Sequence, residues 1–368
     1  LASTGVEVVV QALAVGLVLG RRRFRGPGAA ARAGRLAAAG LLGLAMAAPV
    51  LVLVAGQVGG SARGRGLATD VVLAHSVHPF TLLQVVVGGL YGNLANLANE
   101  WWGQNFFPRG FPYVLSLYLG AAALAVAACG ALSGRRGARS LTGLAAVAVL
   151  IALGRYAGLA PLVDAAPALR LFRFPVKAFF TAHLALSLLV SIGLAALLEG
   201  GGRRHWRRLA AWAGAAGALL VAARALPAAL PGPLAAFSAR FFPPGLGEGA
   251  RAELTARVLA DAATGGLAAL AVGALAALVL LGRLAPPRGA ALVAAVVAAD
   301  LLRAGAGLNP MVDSSFFRPS PELAAQLPRL AEGRVFTCNV EESPAYLAAR
   351  AARGSDHELW SFATLVET

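Results

Sequence analysis

Arg170, Arg173 and Lys177 are the residues with the clearest chemical potential in this chain. They fall three and four positions apart in Pro167-Ala-Leu-Arg-Leu-Phe-Arg-Phe-Pro-Val-Lys177, and Lys177 is the only lysine among 32 basic residues. Spaced in this way, the three cations line one side of a short helix or turn. Guanidinium groups present forked donors that match phosphate oxygens. Phe172, Phe174 and Pro175 are interleaved with the bases and suit the first apolar units of a lipid chain. The pattern predicts a binding site for a lipid phosphate or pyrophosphate, with Arg155 as a helper. The competing accounts are an ion pair with Asp164 and snorkelling of the side chains to anionic headgroups.

Weaker signals lie upstream. His75 and His78 are three apart, so a helix would bring both rings to one face. Only Asp70 is near them, and a metal site needs three or four ligands. Capping or headgroup contact is the expectation, and neither a metal nor a cofactor is predicted. Trp101 and Trp102 precede Phe106, Phe107, Phe111 and Tyr113. Aromatics this dense beside an apolar run form an interfacial belt; a sharper reading makes them stacking platforms for sugar rings or a lipid headgroup.

These residues need a membrane scaffold to position them. The chain has 368 residues, 58% hydrophobic and 13% charged, with a mean hydropathy of +0.71. Soluble domains carry about 25% charged residues, so the composition argues against a soluble or a disordered protein. The net charge of +15 is not a nucleic-acid signal, because the arginines cluster in short loops between apolar runs. A bilayer core needs about 20 apolar residues in a helix. Eight stretches qualify, at 3–20, 36–56, 112–133, 140–158, 177–198, 209–226, 262–282 and 289–306. Alternate loops, after the first, third, fifth and seventh, hold the arginine clusters Arg21–Arg35, Arg135–Arg139, Arg203–Arg208 and Arg283–Arg288. The positive-inside rule puts those loops in the cytoplasm.

The predicted architecture is an all-α, polytopic bundle of about eight spans. Residues 1–306 form the transmembrane domain, with long external loops at 57–111, 156–176 and 227–261. Within the first of these, 79–92 is too short to cross and carries Gln84, Gly88 and Gly89, which predicts an interfacial or re-entrant helix. The 227–261 segment reads as an extended, proline-rich loop followed by an amphipathic helix from about Gly249. Residues 307–368 are polar and begin an external soluble domain of α/β type. Ser320-Pro321-Glu322 starts a helix to about Ala331, 334–340 reads as a strand, and Ser343-Pro344 opens a helix to Arg353. Cys129 and Cys338 fall on opposite sides of the membrane, so no disulfide framework is available. The chain opens on Leu1 and stops inside an unfinished helix, and it reads as a piece of a longer protein.

The order of features adds a resemblance. A span ends in Ala-Pro-Val-Leu (48–51), and Ala74-His75-Ser76-Val77-His78-Pro79 leads into an apolar Leu-Leu-Gln run. Phe111-Pro-Tyr-Val-Leu-Ser-Leu-Tyr-Leu-Gly120 enters a span, followed by Leu153-Gly-Arg-Tyr156 and the 167–177 run. Asp300-Leu-Leu and Leu308-Asn-Pro310 come last. Together these resemble the YfhO-type bacterial membrane proteins of the glycosyltransferase-C superfamily. The resemblance implies transfer of a sugar from a polyprenyl-phosphate carrier to a glycan or protein acceptor outside the cytoplasmic membrane. It also implies a catalytic carboxylate in a first external loop, ahead of Leu1. Glu7 lies inside a span and Asp70 in a later loop, so the catalytic residue is left unknown. A transporter or flippase for lipid-linked saccharides, or an inactive saccharide-binding scaffold, is the alternative.

Overall fold

Runs of Ala, Leu, Val and Gly can satisfy their backbone groups away from water by forming helices. A computed structural model describes residues 2–20, 27–59, 66–92, 101–107, 112–198, 202–242, 246–306 and 308. Every regular element among the described residues is helical. In chain order these are α1 (Ala2–Gly20), α2 (Ala29–Gly59), α3 (Thr69–Val72), α4 (Ala121–Ala131), α5 (Ala138–Leu153) and α6 (Ala160–Ala165). They continue as α7 (Phe179–Leu198), α8 (Gly202–Ala222), α9 (Leu226–Ala229), α10 (Pro231–Phe241), α11 (Glu248–Leu280) and α12 (Pro286–Gly305). Among the described residues, four helical stretches are long and apolar enough to cross a membrane: 138–157, 175–198, 203–229 and 248–280. They contain α5, α7, α8 and α11. The 320–331 and 343–353 helices, the 334–340 strand and Cys338 lie outside the described residues.

Small residues decide the packing. A Cβ added to Gly217 would stand 2.6 Å from the Gly266 carbonyl oxygen, so α8 and α11 touch backbone to backbone. A Cβ on Gly130 would lie 2.0 Å from Leu189 O, and one on Gly193 would lie 2.2 Å from Val126 O, so α4 and α7 meet equally closely. In lipid, where apolar burial drives little association, such close approach supplies the dispersion contacts that hold helices together.

The 112–133 stretch is not one continuous helix. Only α4 is helical, over 11 residues, and it begins after Gly120, whose φ is 81°. The 112–120 run ahead of it is irregular, with Leu117, Tyr118 and Leu119 buried. Irregular backbone at membrane depth must find partners inside the protein, and this segment does. Leu119 N and Gly120 N both donate to Val85 O, at 3.0 and 2.9 Å. Gln84 donates to Leu115 O at 3.5 Å, and His183 Nε2 donates to Leu117 O at 3.1 Å. The 79–92 stretch that supplies Gln84 and Val85 is itself a tight 3-10 turn over Pro79–Val85, followed by further turns, and not an α-helix. The 227–261 segment is mostly helical, against the extended loop predicted. Its prolines 227 and 231 sit in the first turns of α9 and α10, where a missing N–H costs nothing.

The basic segments 135–139, 203–208 and 283–288 gather at one end of the bundle. Arg135 donates to Ala195 O at the C-terminal end of α7, and Arg208 to Leu132 O just after α4. A Cβ on Gly289, at the start of α12, would lie 3.1 Å from Trp206 in α8. The opposite end carries the 66–92 segment, the 154–178 connection and α10.

Candidate functional site

The site grows from two loops laced together. Phe174 N donates to Val72 O at 3.0 Å, Leu67 N to Arg170 O at 3.2 Å, and Val77 N to Ala152 O at 2.8 Å. Thr69 Oγ1 adds a hydrogen bond to the Asp164 carboxylate. Gly154, with φ 49°, makes room for Ser76, whose hydroxyl would sit 2.2 Å from an added Cβ.

Arg155 braces this junction. Its backbone N–H donates to Ser76 Oγ at 3.0 Å, and its guanidinium donates to Leu73 O at 3.1 and 3.3 Å and to Asp70 O at 3.4 Å. Those carbonyls occupy the donors that a phosphate would need. Arg155 therefore acts on the shape of the 70–76 turn.

Arg170, Arg173 and Lys177 do not share one helical face. Separate 3-10 turns cover Pro167–Leu171 and Pro175–Ala178. Between them Phe172 is extended and Phe174 is left-handed, at φ 66°. Each cation consequently has its own surroundings. Arg170 pairs with Asp164 at 3.6 Å and also donates to its carbonyl at 3.4 Å, as the competing account held. Arg173 has no ion pair among the described residues, and its guanidinium carbon stacks 4.5 Å from the Phe174 ring centre. Lys177 is only 4% exposed, with its ammonium 5.4 Å from the Tyr113 ring and 5.5 Å from Phe174.

Arg173 and Lys177 border an open groove of about 340 Å³, walled otherwise by apolar side chains such as Val72, Ile151, Leu162 and Phe172. Gln11 of α1 also reaches it and accepts a hydrogen bond from Thr181 at 2.6 Å. An apolar groove with cations along it suits an amphiphile that has an anionic head.

His75 and His78 also part company. His75 is left-handed, at φ 55°, and its ring packs edge-on to Phe174, with centroids 4.7 Å apart. These two are the only non-glycine residues with positive φ among those described. They meet in one contact beside the groove, and strained backbone of this kind concentrates at ligand clamps and active sites. His78 instead caps the turn that follows it, its Nδ1 accepting from Phe80 N at 3.1 Å. Its ring lies between Phe106 and Tyr156, and burial lowers its pKa from the ordinary imidazole value.

Trp101 and Trp102 are core residues. Trp102 is 2% exposed and lies 4.7 Å, ring to ring, from Phe242. Trp101 is buried against Tyr91 and Phe107. With Phe80, Phe106 and Phe237 they make an aromatic core beneath the 79–92 turns, and they present no open face to a sugar.

No protein-family model, curated protein or solved structure matches the chain.

One polar assembly was not legible as a unit in the sequence. Arg303 pairs with Asp261 at 2.9 Å and with Asp300 at 3.2 Å. Tyr118 donates to Asp300 at 2.7 Å, and Gly89 N donates to Asp261 at 2.8 Å. The network ties α11 and α12 to both irregular segments, 79–92 and 112–120. The available signal was the Asp300–Arg303 spacing at the end of an apolar run, since such charges need partners. The partners themselves are distant in sequence.

Proposed function

We propose that the chain is a membrane-embedded, glycosyltransferase-like protein of the bacterial cytoplasmic membrane. It takes a sugar from a polyprenyl-phosphate carrier and passes it to an extracytoplasmic glycan or protein acceptor. Eight spans hold it in the bilayer, the arginine loops face the cytoplasm, and the polar C-terminal tail belongs to an external α/β domain. The observation that carries the reading is Arg173. It is a half-buried guanidinium with no carboxylate partner among the described residues, and it borders an apolar groove beside a buried lysine. The order of sequence features shared with the YfhO-type proteins supports the same reaction class.

The groove residues divide the work. Arg173 forks onto the carrier phosphate, and Lys177 adds a fixed positive charge in a setting that excludes most water. As the bond between sugar and phosphate breaks, negative charge builds on the leaving phosphate. Preorganised cations stabilise that charge more than the ground state. Phe172, Val72 and Leu162 cover the first isoprene units. Arg170 holds Asp164, and Arg155 holds the 70–76 turn, so both set the groove's shape.

A flippase for lipid-linked saccharides is the second reading. It draws on the Asp261–Arg303–Asp300 network, because ionisable groups inside spans mark transport pathways.

The test uses the full chain in lipid nanodiscs with polyprenyl-phosphate sugar as probe. Arg173→Lys keeps charge and snorkelling but loses the bidentate fork. Carrier binding should fall at least tenfold in Arg173→Lys and further in Arg173→Ala, with unchanged thermal stability. Equal binding by both variants and the parent chain would overturn the site. Release of free carrier phosphate on adding acceptor separates transfer from flipping.

A further inference from the structure

A second cleft lies away from the lipid groove, between α10 and the first turns of α11. It has a volume of about 550 Å³, within the range of small-molecule sites. One wall is the α11 stripe Glu248, Arg251 and Thr255; the other is the α10 side of Leu234 and Ser238, with Pro227 and Pro231 at the edge.

The sequence explains why the cleft stays open. Further along the same faces, both helices are anchored in one aromatic core. Phe241 and Phe242 pack there from the end of α10, and Leu254 and Val258 from α11. Asn105 fastens the end of α10 by donating to Phe241 O at 3.2 Å. The two helices therefore share one base, which fixes the walls of the cleft. Neither can shift to close the gap without leaving the aromatic core.

The polar groups in the cleft are available to a ligand. Arg251 makes no ion pair among the described residues, and its Nε is buried without a hydrogen-bond partner. A buried guanidinium N–H left in this way costs free energy until an acceptor arrives. Glu248 is exposed one turn away and accepts no hydrogen bond from the described residues. The two hydroxyls are different, since each is already bonded to its own helix: Ser238 donates to Ala235 O and Thr255 to Arg251 O. The cleft thus offers one forked cation, one carboxylate acceptor and a flat apolar edge of proline rings.

From this arrangement we infer that the cleft binds an acidic saccharide unit, a sugar ring bearing a carboxylate or phosphate. The acid group is held by the fork of Arg251, ring hydroxyls donate to Glu248, and the apolar face of the ring lies on Pro227 and Pro231. Acid and ring hydroxyls are both required, because Glu248 repels a bare anion and only donors set apart from the acid group, as on a sugar ring, offset that repulsion. The assignment stands apart from the transfer reaction proposed above, and no residue is shared between the two sites.

The experiment measures binding to the full chain in nanodiscs by ligand-observed NMR. The probes are glucuronate, glucose 6-phosphate, neutral glucose and inorganic phosphate. Glucuronate and glucose 6-phosphate should bind, and glucose and phosphate should bind at least tenfold more weakly. Arg251→Gln should weaken glucuronate roughly tenfold or more, the worth of one charge-assisted hydrogen bond. Glu248→Gln should narrow the preference for glucuronate over inorganic phosphate. Arg173→Lys should leave all four unchanged, so loss of the lipid site and loss of this one are told apart. Equal binding of inorganic phosphate and glucuronate would reduce the cleft to an anion site and overturn the proposal. So would glucuronate binding that survives Arg251→Gln intact.

Discussion

Gly120 is where backbone geometry and the buried polar network meet, and replacing it with alanine tests both. Its φ of 81° and ψ of 147° lie in a region that side chains other than glycine rarely enter, at a cost of about 1–3 kcal/mol. The new methyl carbon would also stand 2.6 Å from Asp300 Oδ2 and 3.1 Å from the Tyr118 hydroxyl. It would intrude on the 2.7 Å hydrogen bond between them. A hydrogen bond to a charged group contributes about 1.5–3 kcal/mol, so the combined loss is about 2.5–6 kcal/mol. Gly134→Ala is the control. It too has a positive φ, 74°, but nothing lies within 4 Å of its added Cβ, which leaves only conformational strain of about 1–2 kcal/mol. Reversible unfolding of the full chain in mixed micelles would measure both. Tyr118→Phe removes the hydrogen bond without strain, so Gly120→Ala should cost less in that background than in the parent. If Gly120→Ala proved no more costly than Gly134→Ala, the close approach of α12 to the 112–120 segment would be wrong.

Two further outcomes are expected. Burial lowers the pKa of His78 below its ordinary value, so the unfolded chain takes up the proton first as pH falls. Stability from this group is therefore present above about pH 6.5 and is lost as pH falls from there towards the folded-state pKa. His78→Asn keeps a cap acceptor that cannot ionise, and it should flatten the dependence of melting temperature on pH over that window; an unchanged slope would remove His78 as its source. Single cysteines at Arg136 and Glu253, in a Cys129→Ala, Cys338→Ala background, should label from opposite sides of sealed, oriented vesicles, Glu253→Cys from the outside. Labelling of both from one side would break the alternation of basic loops on which the orientation rests.

The sequence made the helices legible wherever local preference and tertiary structure agree. The proline-free runs at 140–158, 177–198, 209–226 and 262–282 overlap the helical stretches long enough to span, overrunning them by at most two residues. The four arginine clusters predicted a common face, and the three whose contacts are described do gather at one end. Legibility failed where a distant contact overruled local spacing. Counting residues from Arg170 to Lys177 gives one helical face, yet Pro175 disfavours helical backbone at Phe174, whose N–H bonds Val72 far upstream. The 112–133 run has the apolar content of a span, but Val85 pairs with its first half and Gly120 begins the helix late. Trp101 and Trp102 look like a belt in sequence, because nothing local announces that Phe237 and Phe242 will close over Trp102 and Phe241 over the neighbouring Phe106.

Those failures fall close together in the fold. His75 and Phe174 come from loops about 100 residues apart, each adopts a conformation its type disfavours, and each is held by the same ring contact. Strain of roughly 1–3 kcal/mol per residue persists only where surrounding structure over-determines it. Here the surroundings are named: Phe174 N on Val72, Val77 N on Ala152, and the Arg155 brace across Leu73 and Ser76. What that bracing achieves is the placement of Phe174 over both cations, with Arg173 at 4.5 Å and Lys177 at 5.5 Å. An unstrained helix through 167–178 would carry the three charges along one side. The observed break pairs off Arg170, buries Lys177 and leaves Arg173 free at an apolar groove. Pro175 bars a continuous helix here, since it lacks an N–H and disfavours helical backbone at Phe174. The break sets a guanidinium and a buried ammonium side by side at the edge of the groove.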